Sequence, residues 1–363
     1  MHIRSTIENA GKKVVKPALS LFYGYCDNKE VMRLAPTIQE YSSQKLTPKL
    51  KKIADEYSID VFGSRRYSPW LYIYALVRGK FQEGWIPDNF YGEFVLPKIN
   101  KELGMVSDFK SFSNVVLKTE ALPDVAFYID GIFYDKELSV ANVDDLREKL
   151  SASNRAVFVK KDCSDRGTGV IKLAIDELNE DNLQRIGNCV IQSSIKQHEF
   201  FEEIISGSVA TVRIITVKDK SGRIDLRAAT LRLGRKDTAW VRSDNSVKVA
   251  IINRNGELDE FGYTQDWRRW SSHPDSGVSF KNRLIPKFKE AVELCIGLHN
   301  KVPHISIIGW DIAVSDKEQI EIMEWNAECG INFAEATTGP CFLGLDWEKY
   351  KKNPTFSNST VTA

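Results

Sequence analysis

Three residues near the C-terminus have the types and spacing to hold a divalent cation: Asp311, Glu324 and Asn326, in GWDIAVSDKEQIEIMEWN. IGWDIAV and IEIMEWN both read as strands joined by a polar turn. Side chains alternate along a strand, so Glu324 and Asn326 share a face. If residues 316–319 make the turn, Asp311 falls opposite Glu324 on that same face. Two acids so placed repel unless a cation lies between them. Oxygen donors of this kind suit Mg²⁺, whose remaining ligands are usually water and phosphate. The pattern points to a metal–nucleotide site; the plainer alternative is an acidic hairpin facing water.

A metal–nucleotide site needs a phosphate cradle, and the segment AVFVKKDCSDRGTGVIKLA has that form. A short apolar strand, 156–159, runs into Lys160. A loop, 162–169, carries Gly167 and Gly169, and a second strand, 170–174, leaves it. Glycines let backbone N–H groups wrap an anion without interference from Cβ atoms. Lys160 at the strand end places a point charge against α/β phosphates. GxxxxGK[ST] is absent and no GxGxxG precedes a helix, so neither a P-loop nor a Rossmann dinucleotide site is expected.

The order of these parts resembles the ATP-grasp superfamily, and more closely its sugar-transfer-associated, polysaccharide-biosynthesis branch. The resemblance is carried by FVKKDCSDRGTGVIKL (158–173), VIQSSIKQHEFFEEIISGSVATVRIITV (190–217) and IGWDIAV…IEIMEWNAECGINFAEATTGP (308–340). SVATVRIITV is similar to that branch's Ser-x-x-Thr-x-Arg strand. The resemblance implies an α+β fold: a helical N-terminal region, then two α+β subdomains holding ATP between antiparallel sheets. It implies that Lys160 contacts ATP phosphates and that Ser164, Gly167 and Gly169 cover them. Gln192 and Ile195 fall where adenine is held, His198 where the ribose is reached, and Lys118 where an earlier nucleotide-side lysine stands. Arg213 would face the phosphoryl group or the acceptor, while Asp311, Glu324 and Asn326 would hold one or two Mg²⁺. The loop departs from the family in SDRGTG, where Asp165 and Arg166 replace small residues, and in Lys161, which stands where proline is common.

Organisation follows from pattern. Residues 1–115 are mostly helical in periodicity, as in PTIQEYSSQKLTPKLKKIADEY and YSPWLYIYALVRG. They form an N-terminal, acceptor-side region. Residues 116–200 alternate strands with a helix at DELNEDNLQRIG and make the first subdomain with its phosphate loop. Residues 201–350 make the second, with strands over 208–254, a helix over 282–301 and the metal hairpin. Residues 351–363 are a flexible tail. Trp85, Phe90 and Tyr91 serve core packing in preference to an acceptor pocket. Arg227, Arg232, Arg235 and Arg242 are candidate oxyanion contacts, because a planar guanidinium matches carboxylate and phosphate. Arg232 is grouped with Arg213 and Lys160 as catalytic, and Asp244 is a candidate contact to metal or acceptor.

Composition fits a soluble enzyme. The 363 residues carry 50 basic and 49 acidic side chains, so no net field draws the chain to nucleic acid. Six cysteines lack CxxC spacing and read as reduced thiols of a cytoplasmic protein. Cys163 reads as an incidental loop thiol, and His273, His299 and His304 as structural or exposed. No secretory signal is expected, since Pro17 interrupts the first 25 residues. Those residues are expected to pack as a helix on their own domain; a basic amphipathic helix on a membrane is the alternative.

The expected activity is an ATP- and Mg-dependent carboxylate–amine ligase working through an acyl phosphate. The branch resemblance implies a small-molecule or glycan carboxylate acceptor and an amine, in capsule or surface-polysaccharide assembly, peripheral to a membrane machinery. The alternatives are a kinase acting on a hydroxyl and a non-catalytic ATP-binding module.

Overall fold

The computed structural model describes residues 28–151, 156–164, 168–236, 238–242, 245–345 and 347. Asp165, Arg166, Gly167, Asp244, the first 25 residues and the tail 351–363 lie outside the described residues. The chain divides into two compact units, Met1–Lys98 with Gly330–Ala363, and Ile99–Cys329.

The first unit is helical, as its periodicity predicts. The helix Pro48–Phe62 starts where the Thr47 side chain accepts from Leu50 N and proline takes the first position; it stops at Gly63 with φ +77°. Ser68–Arg78 is apolar almost all round and buries Trp70, Leu71, Tyr72, Ile73, Tyr74, Ala75 and Leu76, as a central helix must. Trp85, Phe90 and Tyr91 are buried. In the same unit the fully buried Glu335 accepts from Ile86 N at 3.0 Å and Cys341 N at 2.8 Å. Burial pushes its carboxyl up to about 7, against those backbone hydrogen bonds.

The sequence pattern sets its first boundary at 115, whereas the compact units part after Lys98. The reason lies in single polar contacts rather than in periodicity. Asn100 donates to Ile307 O and Ala327 O and accepts from Ser306 N at 2.7 Å. Ser107 Oγ accepts from Ala327 N, and Ser113 Oγ from Trp325 Nε1 at 3.0 Å. These bonds attach residues 100–113 to the sheet strands of the second unit.

The second unit holds two antiparallel sheets. One contains β1 (Asp124–Ile129), β2 (Ile132–Asp135), β3 (Val157–Lys161), β4 (Val170–Leu173) and β5 (Cys189–Ser193), in the order β2-β1-β5-β3-β4. Its first hairpin turns on Asp130 and Gly131, both at positive φ, as a two-residue Asp-Gly connection requires. The other contains β6 (Thr211–Lys218), β7 (Ile224–Leu233), β8 (Val247–Ile251), β9 (Leu258–Tyr263), β10 (Arg269–Trp270), β11 (Ile307–Val314) and β12 (Ile320–Asn326), in the order β10-β9-β8-β7-β6-β11-β12.

The second sheet has two different faces. Val212, Ile214, Leu231, Leu233, Val249, Trp310, Ile312 and Trp325 lie in one core cluster with Phe288, Ala291 and Cys295 of the helix Phe288–Lys301. That helix begins at 288 and not at 282, because Lys287 sits at φ +55° just after Pro286. Beneath it Trp310 Nε1 donates to Thr216 Oγ1 at 2.8 Å, and His299 Nδ1 lies 2.8 Å from the same hydroxyl. Burial pushes the His299 imidazole down to about 4, so it is neutral and structural. The opposite face carries the polar residues.

Candidate active site

β11 and β12 pair so that Asp311 stands directly opposite Glu324, and Gly309 opposite Asn326. The turn closes with Ser315 N donating to Gln319 O, and Glu318 takes φ +58°. On the other side of β11, Asp311 faces Arg213 of β6. The row continues through Arg213 opposite Thr230 of β7. In the next row Arg232 of β7 faces Lys248 of β8. One sheet face therefore displays Glu324, Asp311, Arg213, Arg232 and Lys248 across five strands.

Asp311 is gripped by Arg213 in a two-pronged ion pair, Nε to Oδ1 at 2.5 Å and Nη2 to Oδ2 at 2.6 Å. Arg232 Nη1 lies 3.8 Å from Asp311 Oδ1. Burial pushes the Asp311 carboxyl up, but the guanidinium groups of Arg213 and Arg232 outweigh it and hold the carboxyl below its usual range. Gly309 makes room for this pair. A Cβ there would come 2.8 Å from Cys329 Cβ and 3.1 Å from Arg213 Nη1. Gly309→Ala should lower folding stability by about 1–3 kcal/mol through overpacking. Thermal unfolding beside the parent protein checks this, and an unchanged melting point would refute it.

Two lysines approach from outside the sheet. Lys160, at the end of β3, donates to Met323 O at 2.6 Å. Its burial pushes the ammonium pKa down against the raising effect of Glu324 and Asp124. Lys110 pairs with Glu324 Oε1 at 2.6 Å and is itself buried. Its position is set by the base of the loop after β3: Asp162 accepts from Ser111 N at 2.8 Å and from Ser111 Oγ at 2.6 Å, and Cys163 N donates to Asp108 O. Lys110 thus reaches the Glu324 end of the row, whereas Lys118 is exposed in the left-handed conformation at a helix end.

The other expected nucleotide contacts fall as follows. Ser164 Oγ donates to Lys161 O at 2.7 Å, and Gly169 packs so close to that hydroxyl that a Cβ there would clash with it. Gln192 lies inside β5, buried, donating to Asp124 Oδ1 at 2.8 Å. Asp124 Oδ2 has no hydrogen-bond partner among the described residues, and burial pushes this carboxyl up to about 6. Ile195 is half-buried in the connection that leaves this sheet for the other. That connection runs along the end of β11, with Gln197 bridging Ser315 and His198 N donating to Val314 O. His198 caps the following short helix through Nδ1, which accepts from Phe200 N at 3.1 Å. Arg235 is turned away into a two-pronged pair with Asp275 at 2.7 and 2.8 Å.

Lys110, Lys248 and Asp124 are site residues that sequence reasoning missed. Four cations, Lys110, Lys160, Arg213 and Arg232, surround the two carboxylates Asp311 and Glu324, and Lys248 stands beyond Arg232 on the same sheet face. Burial and the neighbouring Arg232 and Arg213 push Lys248 down to about 8. Burial and Arg213 push Arg232 down to about 10. Such a surplus of crowded positive charge is a seat for a polyanion. Among the described residues no group of three or more His, Cys, Asp or Glu side chains could hold a metal. The two carboxylates with Asn326 still fit Mg²⁺, which commonly takes one or two carboxylates and completes its shell with phosphate and water.

An α+β unit of two antiparallel sheets, with a cationic, carboxylate-bearing strand face, is the class of protein that this fold and site define. Residues 180–345 match the family model described as sugar-transfer associated ATP-grasp, and the resemblance seen in the sequence holds there. The matched stretch contains Arg213, Arg232, Lys248, Asp311, Glu324 and Asn326. No curated protein matches the chain.

Among solved structures the chain is similar to the biotin carboxylase domain of Hydrogenobacter thermophilus 2-oxoglutarate carboxylase, in complex with MgADP, ADP and bicarbonate. The identity is 15% over 68% of this chain and 44% of that one, with a TM-score of 0.41. It is similar to the ATP-grasp ligase PsnB complexed with a minimal precursor, at 13% identity over 69% of this chain and 62% of that one, TM-score 0.40. It is also similar to the ADP complex of purK, N5-carboxyaminoimidazole ribonucleotide synthetase, at 10% identity over 73% of this chain and 58% of that one, TM-score 0.40. The chain spans less than two thirds of the length of each of these three structures.

None of the helices among the described residues is long and apolar enough to cross a membrane.

Proposed function

We propose that this chain is an ATP- and Mg-dependent ligase that joins a carboxylate to an amine through an acyl phosphate. The observation that carries the reading is the Arg213–Asp311–Glu324 row on the sheet face, with Lys110 and Lys160 closing over its Glu324 end. The family match over residues 180–345 supports it.

Lys160 and Lys110 bind the nucleotide phosphates, aided by the loop around Ser164, Gly167 and Gly169. Asp311, Glu324 and Asn326 would hold Mg²⁺, which supplies charge neutralisation at the transferring phosphoryl group. Arg213 keeps Asp311 ionised and fixed in direction. Arg232 orients the acceptor carboxylate, so that one of its oxygens attacks the γ-phosphorus and the β–γ oxygen bond breaks to leave ADP. The amine nitrogen then attacks the acyl carbon, the carbon–oxygen bond to phosphate breaks, and the amine gives up a proton as the amide forms. The protein needs no covalent nucleophile; it contributes alignment and fixed cations. By the same reading the acceptor is a sugar acid or an amino-acid substituent of a surface polysaccharide, handled in the cytoplasm or beside the membrane.

The test is a turnover screen with ATP, Mg²⁺, uronic-acid sugars and pooled amino acids, reading free phosphate and product mass. Phosphate release that needs both substrates, with a product lighter by one water than their sum, is expected. Phosphate retained on a hydroxyl of the acceptor would make the chain a kinase instead.

A further inference from the structure

Arg213 is neutralised by Asp311, and Lys110 by Glu324. Arg232 and Lys248 are compensated far less. They are direct cross-strand partners on the polar face of the sheet. The nearest carboxylate oxygen to Arg232 is 3.8 Å away and already belongs to Arg213. Arg232 Nε is buried and has no hydrogen-bond partner among the described residues. Among the described residues Lys248 Nζ meets only the amide oxygen of Gln265, at 3.5 Å. Like charges held opposite each other in a half-buried site repel, and a buried guanidinium nitrogen left unpaired is costly. An oxyanion offers what both lack, two or more acceptor oxygens and a negative charge.

The Arg232 end of this pair borders Asp311, while its Lys248 end is set apart from the nucleotide lysines. Lys248 is three strands from Asp311, roughly 14 Å at about 4.8 Å per strand, and Glu324 with Lys110 and Lys160 lies one strand further. We propose that Arg232 and Lys248 together form the binding seat for an oxyanion, a carboxylate or a phosphate, carried by the acceptor and separate from the ATP phosphates. The assignment of that anion to the acceptor rests on the ligase reading above; the existence of the seat does not. Lys248 then selects among acceptors by charge.

The probes are malonate and inorganic phosphate, titrated calorimetrically into the full chain with and without saturating MgADP. The parent protein should bind at least one of them saturably. Malonate alone would identify an acceptor carboxylate, and phosphate alone a phosphorylated acceptor. Lys248→Met should weaken that probe at least ~10-fold, the usual loss for a hydrogen bond to a charged group, and Lys248→Arg should restore it. MgADP affinity should change less than about twofold in either variant, since Lys248 stands three strands, roughly 14 Å, from Asp311 and makes no contact with the nucleotide lysines among the described residues. Failure of the parent protein to bind either probe would overturn the proposal. So would a Lys248→Met variant that binds the probe undiminished, or one that loses MgADP and the probe together. A parent protein that binds the probe but not MgADP would sink the nucleotide reading alone and leave the seat standing.

Discussion

Asp311→Asn should abolish ATP turnover and also lower stability, and both losses come from the same contact. The carboxylate faces Glu324 across one strand pair and Arg213 across the other. An amide there keeps the shape but removes the charge that a cation needs. It also leaves Arg213 buried beside Arg232 without its counter-charge, and breaking one partner of a buried pair costs about 3–5 kcal/mol. We expect turnover to fall at least ~10³-fold, the scale of losing a main electrostatic contact in a transition state. Circular dichroism and thermal unfolding separate the two losses: a folded variant with a lowered melting point and no phosphate release is expected. Undiminished phosphate release would remove Asp311 from the site.

Lys160→Met should have the opposite balance, a large loss of nucleotide affinity with little loss of stability. Lys160 has been taken out of water to donate to Met323 O, and burial disfavours its charge. Methionine fills a similar volume without that penalty, so the melting point should hold or rise. Against the phosphates the missing charge should raise the Kd for MgADP by ~10–100-fold, as for a charge-assisted hydrogen bond. An MgADP titration decides the point, and parent-like affinity would mean that Lys160 only braces the two sheets.

Much of this site is written locally in the chain. The hairpin and its shared face follow from alternation and the polar turn, but the Asp311–Glu324 pairing also needs a register shift between Asp311 and Ile312, since beside the turn Val314 faces Ile320, a register that alone would set Asp311 opposite Met323. Lys160 and its glycine-bearing loop are likewise a single strand–loop–strand. What local pattern does not carry is the partner of Asp311. Arg213 lies 98 residues away and reaches it only because β6 sits beside β11 in the sheet, an order no local periodicity encodes. Lys110 escaped for a different reason. It stands in an irregular 3-10 stretch placed by the Asp162–Ser111 bonds, and the exposed Lys118 nearby has the same side-chain chemistry. Lys248 reads as an ordinary polar residue of an alternating strand until β7 sets Arg232 opposite it. The helix boundary at 288 shows the same limit on a smaller scale, since apolar spacing over 282–301 does not reveal that Lys287 takes a left-handed conformation.

The central claim is an acyl phosphate made on this sheet face, and hydroxylamine trapping tests it most directly. The protein is incubated with ATP, Mg²⁺, pooled sugar acids and amino acids, and hydroxylamine in place of the amine. The account predicts a hydroxamate whose formation needs ATP and a carboxylate and disappears in Asp311→Asn. ATP hydrolysis or acceptor phosphorylation with no hydroxamate would contradict it.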